Sequence, residues 1–159
     1  MYAASELGDF SLLWHLIGAA RGVRSERLAA EAVRLSIVLG AESLLVNGVV
    51  KSFFNRTRPA WDQPRPHTLR QPRSSSFPSG HASSGFTAAA LLGERNRAWP
   101  LYLGLATVVA SSRVYVRIHH ASDVIGGVVT GVVIGRAARR LWPRPEPQPT
   151  PASPPLRSR

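Results

Sequence analysis

The sequence predicts an all-α protein, a transmembrane bundle of about five helices. Three observations support this fold class. Apolar runs of helical length recur along the chain, short basic segments separate them, and there is no cysteine for a disulfide framework. The 159 residues form one domain, in which we assign residues 1–142 to the bundle and 143–159 to a disordered Pro-rich tail.

The first predicted helix covers Phe10 to Ala20 and is short for a membrane span. A basic turn, RGVRSER, leads to the second helix, Leu28 to Phe54, which contains the apolar run LSIVLGAESLLVNGVV. The long segment from Asn55 to Pro78 is rich in Pro, Arg and Ser, which predicts a polar loop.

The third predicted helix begins at Ser79, a favourable N-cap, and ends near Leu92. The turn GERNR separates it from the fourth helix, about Ala98 to Val116, and the fifth covers about Ser122 to Trp142. In the fifth helix glycine recurs every fourth residue, which predicts a smooth stripe for close packing against a neighbouring helix. The stripe consists of Gly127, Gly131 and Gly135.

The formal net charge is +11, and Lys51 is the only lysine. Such a charge is typical of proteins that bind nucleic acid, anionic membranes or phosphorylated substrates. The arginines fall in clusters between the apolar runs and are not interleaved with aromatic residues, which argues against nucleic acid and for a membrane. The apolar runs are only about 15 to 19 residues long, so a soluble bundle remains the alternative.

The arrangement of basic segments predicts the orientation in the membrane. If helices two to five cross alternately, RGVRSER, GERNR and RAARR share one side, and the long loop and VRIHHASD share the other. The positive-inside rule places the three short basic turns in the cytoplasm, provided that the cations of the long loop serve an anionic ligand. The second side is then extracytoplasmic.

Three polar segments gather on that second side. In KSFFNRTRP, Lys51 and Arg58 are two helical turns apart and share a face if the helix continues that far. In PSGH, the amides after Ser79 form an anion-binding helix start, Gly80 allows a close backbone approach, and His81 is titratable.

The third segment, SSRVYVRIHHASD, adds Arg113 and a His–Asp pair. His119 and Asp123 are one helical turn apart, so Asp123 is expected to accept a hydrogen bond from His119 and fix its tautomer. Each segment alone is also explained by solvated charges or an ordinary helix cap. Together they predict phosphoryl transfer, in which cations hold the oxygens while a nucleophile and an acid act on phosphorus. The spacing leaves both His119 and His120 open as the nucleophile.

The three segments resemble the tripartite motif of the type 2 phosphatidic acid phosphatase superfamily, which includes bacterial acid phosphatases and vanadium haloperoxidases. That motif is Lys, six residues, Arg-Pro; then Pro-Ser-Gly-His; then Ser-Arg, five residues, His, three residues, Asp. The match covers about Lys51 to Asp123 in the same order and spacing.

The resemblance implies a role for each residue of the motif. His119 would be the nucleophile that forms a phosphohistidine, Asp123 would orient it, and His81 would protonate the leaving oxygen and then activate water. The residues that would hold the phosphoryl oxygens are Lys51, Arg58, Ser79, Gly80 and Arg113. Relatives commonly carry an aromatic residue and a proline where this chain has His120 and Ala121, and we interpret His120 as a neighbour of the site.

These observations predict a multi-pass phosphatase of a bacterial-type cell membrane, with no metal or other cofactor and no nucleic-acid partner. Its expected substrate is a lipid phosphate or pyrophosphate, such as phosphatidic acid, phosphatidylglycerol phosphate or a polyprenyl carrier. The alternatives are a soluble acid phosphatase, a vanadate-dependent haloperoxidase and a catalytically silent scaffold. Outside the motif, we expect Glu42 to be an inward-facing structural residue and Arg56 to be a solvated loop charge.

Overall fold

The computed structural model describes residues 1–60 and 74–144. Within these ranges every regular element is helical, which confirms the all-α class. The α-helices are α1 (Tyr2–Leu7), α2 (Leu12–Gly22), α3 (Glu26–Ser43), α4 (Gly80–Leu92), α5 (Trp99–Tyr115) and α6 (Ala121–Leu141). Residues 61–73 of the predicted polar loop and 145–159 of the predicted tail lie outside the described ranges.

The N-terminal region differs from the prediction. Phe10 and Ser11 have φ values of 53° and 60°, so the backbone turns at the point where the first helix was expected to begin. The helix begins instead at Leu12, and the short helix α1 precedes the turn. The described residues therefore contain six α-helices where about five were predicted, because α1 is too short to show a hydrophobic period.

Helix α3 begins one residue after its N-cap, Ser25, whose hydroxyl accepts a hydrogen bond from Leu28 N. The chain continues through a wider π-helical turn, Leu44–Val49, and a tighter 3₁₀ turn, Val50–Phe53. At Phe54 the backbone is extended, with φ −123° and ψ 135°. The predicted second helix is therefore nearly right, but it ends before it could place Lys51 and Arg58 on one helical face.

Helices α4 and α6 pack closely along the predicted glycine stripe. A Cβ atom at Gly127 would overlap Ser79 O, and one at Gly131 would overlap Ser83 O. The hydroxyl of Thr87 donates to Gly131 O at 3.2 Å across the same contact. The stripe therefore brings the start of α4, which carries PSGH, against the start of α6.

The opposite face of α6 is apolar and exposed. Three residues one turn apart are 64%, 58% and 58% exposed, namely Ile125, Val129 and Val133. A helix with its small residues inside and its large apolar residues outside is typical of packing in lipid. Among the described residues, two segments are long and apolar enough to cross a membrane, Glu26–Phe53 and Ala121–Leu141.

One end of the bundle is joined by ion pairs. Arg34 of α3 lies 3.0 Å from Glu94 in the turn between α4 and α5, and Arg21 at the end of α2 lies 3.4 Å from Glu31. Arg144, just after α6, pairs with Glu31 as well. Arg139, in the segment RAARR, lies 3.8 Å from Glu94, so the three short basic turns lie at one end of the bundle. We call this end the ion-paired end.

Candidate active site

A cavity of about 530 Å³ lies at the other end of the bundle. All three motif segments contribute to its wall. The predicted site residues that line it are Lys51, Gly80, His81, Arg113 and His119. The other three do not line the cavity but lie next to residues that do: Arg58 and Asp123 are close to His119, and Ser79 precedes Gly80.

His119 lies in the loop before α6 and is only 3% exposed. Its Nδ1 is 2.7 Å from the carbonyl oxygen of Ser76, so Nδ1 carries the hydrogen and donates it. The lone pair is then on Nε2, which lies 3.3 Å from the Arg58 guanidinium. Burial lowers the pKa of His119 to about 2, and the neighbouring cations Arg58, Arg113 and Lys51 contribute. His119 is therefore a neutral imidazole, as a nucleophile must be.

The predicted hydrogen bond from His119 to Asp123 is wrong. The two side chains are 3.7 Å apart, and Asp123 Oδ2 instead accepts from the backbone N of His120 at 2.9 Å. The reason is that α6 begins at Ala121, so His119 precedes the helix and the one-turn spacing does not apply to it. The Ser76 carbonyl orients the His119 ring, and Asp123 caps α6.

Two residues outside the predicted set fix this loop. Arg56 was expected to be solvated, but its Nη1 lies 2.9 Å from Asp123 Oδ1. Side chains two apart point to one side of an extended chain, which explains how Arg56 and Arg58 both reach the loop that holds His119. His120 is a structural neighbour whose Nε2 donates to the carbonyl of Thr57 at 3.3 Å.

The start of α4 combines a cation with a helix N-terminus. Ser79 is fully buried, and its Oγ accepts from Ala82 N at 3.5 Å as the predicted N-cap. A Cβ atom at Gly80 would lie 3.2 Å from Asn47 Oδ1 and 3.8 Å from Lys51 Nζ. Glycine therefore allows the Lys51 ammonium to approach the α4 backbone, which favours an anion there.

The cations Lys51 and Arg113 are 7% and 2% exposed. In the two described ranges neither forms an ion pair with a carboxylate, although Arg113 Nη1 donates to the carbonyl and hydroxyl oxygens of Ser5. Burying a charge without an opposite charge is costly. A bound phosphate would supply the opposite charge.

Sequence reasoning missed Ser5, Asp9, Asn47 and Ser76 as residues of the site. Asp9 Oδ1 lies 2.8 Å from His81 Nε2, and Asn47 lines the cavity one turn before Lys51. Asn47 could have been predicted, because a polar residue in the apolar part of a helix often has a functional role. Nothing in the local sequence marks Ser5, Asp9 or Ser76, because each acts on a residue distant in sequence.

Comparison with known proteins gives a consistent picture. Residues 31–146 match the PAP2 superfamily. A decaprenylphosphoryl-5-phosphoribose phosphatase of Mycobacterium tuberculosis is 32% identical over 128 residues, covering 78% of this chain and 68% of that protein. YbjG of Escherichia coli K12, provisionally named an undecaprenyl-diphosphatase, is 33% identical over 99 residues, covering 61% of this chain. The chain matches only 50% of the length of YbjG.

A solved structure shows the same fold. The transmembrane PAP2-type phosphatidylglycerolphosphate phosphatase from Bacillus subtilis superposes with a TM-score of 0.68 at 24% identity. The superposition covers 88% of this chain and 73% of that one. The two proteins therefore share the arrangement of the helical bundle.

Proposed function

The chain belongs to the PAP2 superfamily, and from this premise we propose that it is a metal-independent membrane phosphatase that cleaves a lipid phosphate through a phosphohistidine. One observation carries the proposal. His119 is buried and neutral, and its Nε2 faces the Arg58 guanidinium at the edge of a cavity walled by Lys51 and Arg113. A nucleophile surrounded by cations suits an anionic phosphorus centre.

In the first step, the cations and the amides at the start of α4 bind the phosphoryl oxygens. The lone pair of His119 Nε2 attacks phosphorus, and the bond from phosphorus to the leaving oxygen breaks. His81, on the same cavity, donates a proton to that oxygen. The products are the phosphohistidine and a free alcohol or shorter phosphate.

In the second step, water attacks the phosphohistidine. His81, now neutral, takes a proton from the water, and the bond between phosphorus and Nε2 breaks to release inorganic phosphate. Asp123 acts indirectly. It accepts a hydrogen bond from His120 N at the start of α6 and pairs with Arg56, and these two contacts fix the loop that carries His119.

The cavity wall supports a choice among substrates. Beyond the cations, the wall formed by α2 and α3 is polar and includes His15, Ser36, Ser43 and Asn47. Glu42, also in this wall, is 3% exposed and lies near the Ser83 hydroxyl, but among the described residues no aligned hydrogen bond satisfies its Oε1. Such an acceptor suits a substrate hydroxyl. We therefore favour a lipid whose phosphate is attached to a hydroxylated head group, as in the substrate named for the mycobacterial relative.

The orientation in the membrane is part of the proposal. The ion-paired end carries the short basic turns, and the positive-inside rule places it in the cytoplasm. The site is at the other end and is then extracytoplasmic. The exposed apolar faces, such as that of α6, would contact lipid between the two ends.

Phosphate release from a panel of lipids in detergent micelles tests the function. The panel contains phosphatidic acid, phosphatidylglycerol phosphate, a polyprenyl-linked sugar phosphate and undecaprenyl diphosphate. We expect release to be abolished in His119→Ala and retained in His120→Ala. Full activity of His119→Ala would contradict the mechanism.

Glu42→Gln tests the choice of substrate with the same panel. We expect kcat/KM to fall about tenfold or more on lipids with a hydroxylated head group, because an amide oxygen is a weaker acceptor than a carboxylate, and to stay unchanged on the others. An equal change on all four lipids would show that Glu42 is a structural residue.

A further inference from the structure

The N-terminal segment covers the catalytic cavity from one side. Gly8 and Asp9 line the cavity, and a Cβ atom at Gly8 would lie 2.6 Å from His81 Cδ2 and 2.9 Å from Val109 Cγ1. Only glycine permits this approach without displacement of the histidine ring. Helix α1 is held in place as well, because Ser5 is fully buried and accepts hydrogen bonds from Arg113.

The turn after this contact has an unusual backbone. Phe10 and Ser11 both adopt left-handed φ values, 53° and 60°, which cost free energy in residues other than glycine. Backbone of this kind persists where the surrounding contacts require it, and it often lies at functional sites. Here the turn links α2 to the segment that carries Asp9.

Asp9 contacts the histidine expected to act as the acid. Its Oδ1 lies 2.8 Å from His81 Nε2, and the two side chains are 30% and 16% exposed. The two atoms are in contact, but the geometry is not that of an aligned hydrogen bond, as is common for catalytic contacts without substrate. With Nε2 facing Asp9, Nδ1 is the nitrogen left to meet the leaving oxygen.

The charges around His81 give Asp9 a chemical task. The charged groups that face His81 are Asp9, Arg113 and Lys51. Burial and the two cations disfavour a proton on His81, and Asp9 opposes them. The two imidazoles of the site thus differ in their immediate partners: a carboxylate contacts His81, whereas a carbonyl and a guanidinium contact His119. A carboxylate at one imidazole and a guanidinium at the other favour a proton on His81 relative to His119, which suits an acid beside a nucleophile.

We propose that Asp9 is a positioning residue for His81, which holds the imidazole by Nε2 and keeps a proton available for the leaving oxygen. This proposal rests on the proposed phosphatase function. It makes the N-terminal segment, outside the three motif segments, part of the active site. Each of the two histidines then depends on a partner that is distant from it in sequence.

Leaving-group dependence tests the proposal. In Asp9→Asn we expect kcat to fall about tenfold to hundredfold on a phosphatidic acid, whose alkoxide needs a proton, and less than about threefold on p-nitrophenyl phosphate, whose phenolate does not. KM should stay close to that of the unaltered protein, and Asp9→Glu should recover part of the rate. Glu6→Gln is the matched control, because it removes an exposed carboxylate from α1.

Equal losses of kcat on both substrates, or no loss on either, would overturn the proposal. A second measurement does not depend on activity. The ring nitrogens of His81 are titrated by nitrogen-15 NMR in the full chain, and we expect Asp9→Asn to lower the titration midpoint while Glu6→Gln leaves it unchanged. An unchanged midpoint in Asp9→Asn overturns the pairing. A lowered midpoint in a protein that releases no phosphate would retain the pairing and reject the proposed function.

Discussion

The two ends of the bundle use buried cations in opposite ways. At the ion-paired end, Arg34 and Arg21 each lie against a carboxylate, at 3.0 Å and 3.4 Å. At the cavity, Lys51 and Arg113 are 7% and 2% exposed, and neither forms an ion pair with a carboxylate in the two described ranges. One end is held by direct ion pairs, whereas at the other Asp9 and Glu42 line the cavity without forming an ion pair with Lys51 or Arg113 among the described residues.

The difference shows how to distinguish a structural arginine from one that binds substrate. A buried ion pair neutralises its own charges and mainly fixes the geometry of the elements that it joins. Buried cations without a carboxylate repel one another and destabilise the empty fold, but they attract a phosphate strongly because little water screens them. The comparison predicts that removal of a cation has opposite effects at the two ends.

The largest effect is expected for Lys51→Met. We expect kcat/KM to fall about a hundredfold to a thousandfold, because a cation that stabilises the transition state is lost. The melting temperature should stay the same or rise, because a buried unpaired charge is removed. Both are measured in one detergent, with Arg24→Met, an exposed arginine of the ion-paired end, as the control. If Lys51→Met were less stable but kept its activity, Lys51 would be a structural residue, contrary to the comparison of the two ends.

The converse variant is Arg34→Met at the ion-paired end. It leaves Glu94 partly buried with a weaker partner, Arg139 at 3.8 Å, so we expect the free energy of unfolding to fall by about 3 kcal/mol. The folded fraction should keep its kcat. Chemical denaturation and phosphate release measure the two quantities, and the double variant with Glu94→Gln should recover part of the stability. A loss of kcat comparable to that of Lys51→Met would show that the two ends are not separate.

A smaller effect is expected from pH. The pKa of His119 is about 2 in the folded protein and 6.5 in the reference state, so between these values the unfolded chain binds one more proton. The free energy of unfolding should therefore be highest above pH 6.5 and fall below it, by about 1.4 kcal/mol per pH unit from this residue. The slope is measured by denaturation at several pH values. His119→Asn should remove that part of the slope, and an unchanged slope would mean that the pKa of His119 is the same in the folded and the unfolded protein.

The smallest effect is expected from EDTA, which should leave the rate of phosphate release unchanged. In residues 1–60 and 74–144 no three His, Cys, Asp or Glu side chains are grouped to hold a metal ion. The cations of the cavity are expected to neutralise the phosphate themselves. Strong inhibition by EDTA that Mg²⁺ reverses would show that a metal ion neutralises the phosphate.

Much of the fold was predictable because it depends on short-range patterns. Ser79 caps α4 as expected from its position before an apolar run, and the glycine stripe of α6 packs where a period of four placed it. The spacing of the family motif predicted that Lys51, His81 and His119 lie together, and all three line one cavity. Caps, periods and motif spacing are all visible in a few neighbouring residues.

The remaining features depend on contacts between distant residues or on local backbone angles. Ser5 meets Arg113 across 108 positions, and the sequence gives no sign of that contact. Hydrophobicity predicts a helix that begins at Phe10, but the positive φ of Phe10 delays its start to Leu12. The His119–Asp123 prediction failed because it assumed a helix two residues too early. In each case tertiary packing or the exact helix start decided the outcome.

Detection of the covalent intermediate tests the central claim most directly. The protein is mixed with a radiolabelled lipid phosphate, quenched in alkali and digested, and the labelled peptide is identified by mass spectrometry. We predict a phosphoryl group on Nε2 of His119 that is stable in alkali and lost in acid, and that is absent from His119→Ala. Rapid phosphate release with no labelled protein, or a label on another residue, would contradict the account.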